Sequence, residues 1–180
     1  AVRDCFAQLQ ELGAIVKDNP QQKRGRGRPS PSGWKLTARG NMMAKLPLDP
    51  RLSRILLEAR TLGCLEDALV ISAALSIQDP RERPAEKAAE ADSAQAVFND
   101  EKSDFISYII LWNAYKAVGK DRKNSYRKFC KTHFVSYRRM REWIDIHGQL
   151  VRILKEQDIP ITSKKLRSEL KGKKEQFSPW

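Results

Sequence analysis

The chain has 180 residues, 41% of them hydrophobic, enough for a real core in one domain or two small ones. Its 34 lysines and arginines against 22 acidic residues give a net charge of +12 and a pI near 9.8, which points to an anionic partner such as nucleic acid rather than to any fold. No run approaches the roughly 18 apolar residues of a membrane span, and Ala1-Val2-Arg3-Asp4 lacks a signal-peptide layout, so a cytoplasmic protein with no membrane partner is expected.

Val2, Cys5, Phe6 and Leu9 hold the i, i+3, i+4, i+7 spacing of an amphipathic helix, extended by Leu12 and stopped by Gly13. No N-cap precedes Val2, the pattern of a chain that opens inside a larger structure. Ala14-Ile15-Val16 and Gly33-Trp34-Lys35-Leu36 read as two short strands, and the Pro-, Gly-, Ser- and Arg-rich stretch 17–32 between them as a long mobile loop. Helix, strand, basic loop, strand, helix is the back half of a winged-helix module.

Two helix starts come in tandem between Leu36 and Pro50. Thr37 can cap a helix over 38–45, and Asp49 can cap the next one, with Pro50 at its first position. Gly40 inside the first helix is costly there and predicts the close approach of another backbone. The stretch is expected to act as a joint that fixes the hairpin relative to the downstream helices.

Leu52, Ile55, Leu56 and Ala59 repeat on one face of the next helix, which Gly63 ends. Residues 65–77 are apolar around most of their circumference and must be buried on several sides. Residues 79–84 break the pattern, and 86–98 predict an Ala-rich, acidic surface helix. A helix from Ser103 to Ala117 carries the stripe Phe105, Tyr108, Ile109 and Trp112; after it come a basic loop, 119–124, and a short helix with Phe129 and Cys130. The longest helix spans about 136–157, with Met140, Trp143, Ile144, His147, Leu150, Val151 and Leu154 on one face. The sequence thus predicts a mainly α protein: a partial winged helix with a small β-hairpin over 1–48, a helical bundle over 49–157, and a basic, weakly ordered tail over 158–180. Cys5, Cys64 and Cys130, beside apolar residues at helical positions, read as reduced core thiols.

Catalytic templates are missing. Gly119-Lys120 is followed by Asp121 and is no phosphate-binding P-loop. His133 and His147 lack the Cys or His pair a zinc site needs, and His147 lies in an apolar stripe, as a packed core histidine does more often than a base or ligand. No catalytic, metal-binding or cofactor-binding residue is nominated.

The basic segments carry the functional signal. Lys23, Arg24, Arg26 and Arg28 alternate with glycine before Pro29, so several guanidiniums can each meet a phosphate. The other readings are a solvated loop and an AT-hook in an A·T minor groove. Arg122, Lys123, Arg127, Lys128 and Lys131 bracket Tyr126 and Phe129, either a strip that tracks a single strand or a solvated face over a core Phe129. Arg138, Arg141 and Arg152, diluted by Glu142 and Asp145, could line a groove along the longest helix.

The ordered blocks Leu36-Thr37-x-x-Gly40, 46–52, 63–69 and 75–81, with Ser103-Asp104-Phe105, Leu111-Trp112 and Phe129-Cys130, resemble the region after the two motor domains of DEAH-box ATP-dependent RNA helicases, most similar to the bacterial HrpA type. The resemblance covers roughly residues 2–154. It implies a winged helix packed on a ratchet, or helicase-associated, domain that forms one wall of a channel for single-stranded RNA, or DNA, with Arg138, Arg141 and Arg152 on the channel-lining helix. The implied partners are that strand, the motor domains of the same helicase, and a protein docked on the winged helix. ATP and Mg would belong to the motor domains, whose P-loop and Asp-Glu-Ala-His box this sequence lacks; the segment is expected to hold no ATPase site of its own, and the resemblance implies a parent protein that is an ATP-dependent RNA helicase, an NTP hydrolase. The tail after Pro160 does not match the OB-fold that usually comes next. The alternative is a stand-alone nucleic-acid-binding or protein-docking winged-helix module.

Overall fold

A computed structural model describes residues 2–17, 33–118 and 125–161. The wing residues Lys23, Arg24, Arg26 and Arg28, the loop residues Arg122 and Lys123, and the tail beyond residue 161 lie outside these. The chain divides into two compact units, Ala1–Glu58 and Ala59–Trp180.

The first unit runs α1 (Val2–Glu11), β1 (Ile15–Lys17), β2 (Trp34–Leu36), α2 (Ala38–Met43) and the start of α3 (Pro50–Leu62). Gly13, at φ 69°, stops α1 as predicted: its N–H donates to Gln10 and that of Ala14 to Leu9, which satisfies two carbonyls at the helix end. β1 and β2 pair antiparallel, with Ile15 opposite Leu36 and Lys17 opposite Trp34. Phe6 of α1 stacks on Trp34 with ring centroids 5.5 Å apart.

Thr37 performs two tasks at once. Its hydroxyl accepts from the Gly40 N–H at 2.9 Å, the cap read from sequence, and donates to the Gly13 carbonyl at 2.7 Å. A Cβ on Gly40 would overlap the Ala14 carbonyl oxygen and sit 3.0 Å from Leu36 Cδ2, so the glycine marks the expected close backbone approach. α2 ends at Met43, short of the predicted Lys45, where Lys45 and Leu46 turn in tighter i→i−3 bonds. Asp49 Oδ1 accepts from the Arg51 N–H at 2.8 Å, capping α3.

The second unit comprises the end of α3, then α4 (Leu65–Leu75), α5 (Ala88–Gln95), α6 (Asp104–Val118), α7 (Ser125–Thr132) and α8 (Tyr137–Glu156). α4 packs against both α6 and α8, which explains why it is apolar nearly all round. Trp143 of α8 is fully buried, and its indole N–H donates to the Val70 carbonyl at 2.9 Å. Met140, Leu150 and Leu154 bury beside it on the predicted face.

The described chain is mainly α with one two-stranded hairpin, as expected. Three local expectations are corrected. The 86–98 segment is not one surface helix but α5 between two 3-10 turns, Ala85–Lys87 and Ala96–Phe98, and Phe98 is buried against Phe129 and His133. Phe105 is 51% exposed; the packed face of α6 starts a turn later, at Tyr108, and continues through Leu111, Trp112 and Tyr115. Of the three thiols only Cys130 is core; Cys64 is half-buried and Cys5 exposed, because no residue of α1 is buried. No helix among the described residues is long and apolar enough to cross a membrane.

Candidate nucleic-acid interface

α7 is strongly amphipathic and turns its aromatic residues inward. Phe129 packs against Tyr115 at 5.7 Å and His133 at 4.6 Å, Tyr126 meets Tyr115 in a tilted contact at 4.6 Å, and Cys130 is buried beside them, its thiol pushed up to about 11 by that burial. Phe129, half-buried, is therefore engaged by Tyr115, His133 and Phe98 on its inner side rather than free as a platform for stacked bases. Arg127, Lys128 and Lys131 remain exposed on the outer face.

Here α7 and α8 bring separated cations together. The Arg127 guanidinium carbon lies 5.5 Å from the Tyr137 ring centroid, a cation–π contact across the two helices. One turn further along α8, the Arg141 guanidinium is held above its ordinary pKa by the Tyr137 hydroxyl, with the charge of Asp145 adding to it. Two arginines thus flank one tyrosine at the start of the longest helix. Sequence reading passed over Tyr137, though its place one turn before Arg141 is the signal that could have found it.

At about 100° per residue, Tyr137, Arg141, Gly148, Arg152 and Lys155 share an arc of about 60° on α8, opposite the buried Trp143 and Leu150. Arg138, Glu142, Asp145, Gln149 and Glu156 fill the adjoining arc. The exposed half of α8 therefore separates into a basic edge and a mixed face, and Arg138 belongs to the mixed one. Arg138 lines a cleft of about 290 Å³ with Gln78, Ser136, Arg139 and Glu142. Arg139, its neighbour, is structural: it donates to the Asp79 carbonyl at 3.0 Å and lies 3.9 Å from Glu82.

The remaining titratable groups belong to the scaffold. Burial would raise the Asp79 carboxyl, but the Arg81 fork, donating at 2.7–3.2 Å, outweighs it and holds the group below the usual carboxylate range. His147 lies 4.7 Å from the Trp112 ring; burial, with Lys116 nearby, lowers its pKa to about 4, so it is a neutral packed histidine near pH 7. The His133 Nδ1 lies 3.2 Å from the Ala94 carbonyl. Among the described residues, no group of three or more His, Cys, Asp or Glu side chains gathers in a way that could hold a metal ion.

Residues 49–108 match the helicase-associated domain (HA2), ratchet-like family, which assigns the segment from the Asp49 cap through α4 and α5 into α6 to a helicase-associated, ratchet-like domain. Over about nine-tenths of its length the chain is similar to a segment of HrpA-type helicases. It is 41% identical over 166 residues to the ATP-dependent RNA helicase HrpA of Escherichia coli K12, covering 90% of this chain and 12% of that protein. Against the HrpA homolog of Haemophilus influenzae the identity is 40% over 165 residues, covering 91% and 12%. The pre-mRNA-splicing factor ATP-dependent RNA helicase prp22 of Schizosaccharomyces pombe is 35% identical over 128 residues, covering 71% and 10%. The chain thus spans about 12% of the length of the bacterial relatives it matches.

Proposed function

We propose that this chain is a single-stranded RNA-binding accessory region of an ATP-dependent DEAH-box RNA helicase, with the basic edge of α8 and the outer face of α7 turned to the strand. The observation that carries this reading is the convergence of Arg127 and Arg141 on Tyr137, continued along α8 by Arg152, in a segment 41% identical to a protein named as an RNA helicase. Guanidiniums spaced along one helix edge can each meet a phosphate, and such contacts are sequence-independent, as a strand sliding past requires. ATP, Mg and the work of unwinding fall to motor domains of the same protein.

The test is fluorescence anisotropy of a labelled single-stranded RNA titrated with the full 180-residue chain at several salt concentrations. The wild type is expected to show a log-log salt slope steeper than about −2, and replacing Arg141 and Arg152 by Ala to weaken binding about tenfold and flatten the slope by about 1.4. Binding by that variant equal to wild type, or a preference for A·T-rich duplex DNA over single strands, would overturn the reading.

A further inference from the structure

Gly148 lies in the interior of α8, a 20-residue helix, on its exposed side. Glycine destabilises a helix interior relative to alanine, so its presence calls for a cause. Its backbone is helical, with none of the positive φ that Gly13, Gly33 and Gly63 adopt. A Cβ built on it meets no atom of the described residues within 4 Å, the opposite of Gly40, where the Ala14 carbonyl fills that space. Neither conformation nor packing among the described residues accounts for it. What the glycine leaves is a bare patch of helix backbone, with Arg141 two turns before it, about 10 Å away along the axis, and Arg152 one turn after, about 6 Å away.

We propose that Gly148 is a seat at which the sugar-phosphate backbone of single-stranded RNA comes into van der Waals contact with the main chain of α8, while Arg141 and Arg152 hold phosphates on either side. The inference rests on the RNA-binding reading above and deepens it. Without a Cβ the strand can lie nearer the helix axis, which shortens the reach of both guanidiniums. Charge selects the occupant: Arg141, Arg152 and Lys155 share the arc with Gly148. Asp145 lies beyond the arc, on the side away from Tyr137 and Lys155, and repels phosphate there. The attractive path is thus confined to the line through Gly148.

Two variants of the full chain test it, Gly148→Ala and Gly148→Leu, read by thermal melting and by RNA anisotropy at several salt concentrations. Both replacements are better helix formers, so Tm is expected to hold or to rise by about 2–4 °C. RNA affinity is expected to fall about twofold for Ala and about tenfold for Leu, with an unchanged salt slope because no phosphate-binding cation is lost. Gly148→Ala keeps the test open if the larger side chain disturbs the fold. Affinity at the wild-type level in both variants, with Arg141→Ala still weakening binding, overturns the seat alone and leaves the bare patch to another occupant, such as a protein helix. No binding of single-stranded RNA by the wild type overturns the RNA-binding reading and the seat with it.

Discussion

At the scale of single residues, His147 shows how a side chain legible by position acquires its chemistry from packing. Its place in the apolar stripe of α8 identified it as a packed histidine, and the Trp112 ring at 4.7 Å supplies the contact. Because its pKa falls from 6.5 to about 4, the unfolded chain binds more protons than the folded one between those values. Stability is therefore unaffected above about pH 6.5 and decreases as pH falls from there towards 4. After allowance for the water that still reaches the ring, the loss is about 1–2 kcal/mol. Urea titrations at about pH 7 and about pH 4.5 of wild type and His147→Phe measure it, and an identical pH dependence in the two proteins would exclude His147 as its source. Phe105 and Cys5 show the limit of the same reasoning. Both occupy correct stripe positions, but burial requires a neighbouring element to cover the position, and periodicity says nothing about whether one does.

At the scale of elements, helix ends marked by glycine or by a side-chain cap were readable. Gly13 and Gly63 stop α1 and α3 at positive φ, and Thr37 and Asp49 open α2 and α3. Two ends of the same type were not, because Phe134 and Asp158 adopt φ 51° and 53° without being glycine; the bonds from Val135 to Cys130 and from Ile159 to Leu154, the Glu82 N–H on the Phe134 carbonyl and the Asp158 N–H on Lys155 hold them there. The junction of α2 with the hairpin gives the sharpest prediction. Gly40→Val would drive a branched side chain into the Ala14 carbonyl, which itself accepts the Thr37 N–H at 2.9 Å. A loss of about 3 kcal/mol is expected, seen as faster hydrogen exchange at Thr37 and along β1 and β2. Unchanged exchange at those amides would show that the close approach is not what the glycine serves.

At the scale of the whole molecule, the charge of +12 favours a polyanion, and the arginines at 24, 26 and 28 supply a quarter of it. Replacing all three by Ala lowers the net charge from +12 to +9. Weaker binding of single-stranded RNA and a salt slope flatter by up to about two are expected. Affinity and slope both equal to wild type would remove this segment from the interface. The mainly α class, the helices with their caps, the amphipathic faces and the cationic bias were determined by the sequence itself. Each depends on residues within a turn or two of one another, or on composition alone, and helix geometry turns that spacing into a face. Only the tertiary structure decided that Phe129 packs on Tyr115, that Arg139 braces the Asp79 loop, and that Arg127 and Arg141 meet on Tyr137. Helical periodicity fixes which side of an element a residue occupies; which partner that side receives is settled by the packing of elements far apart in the chain.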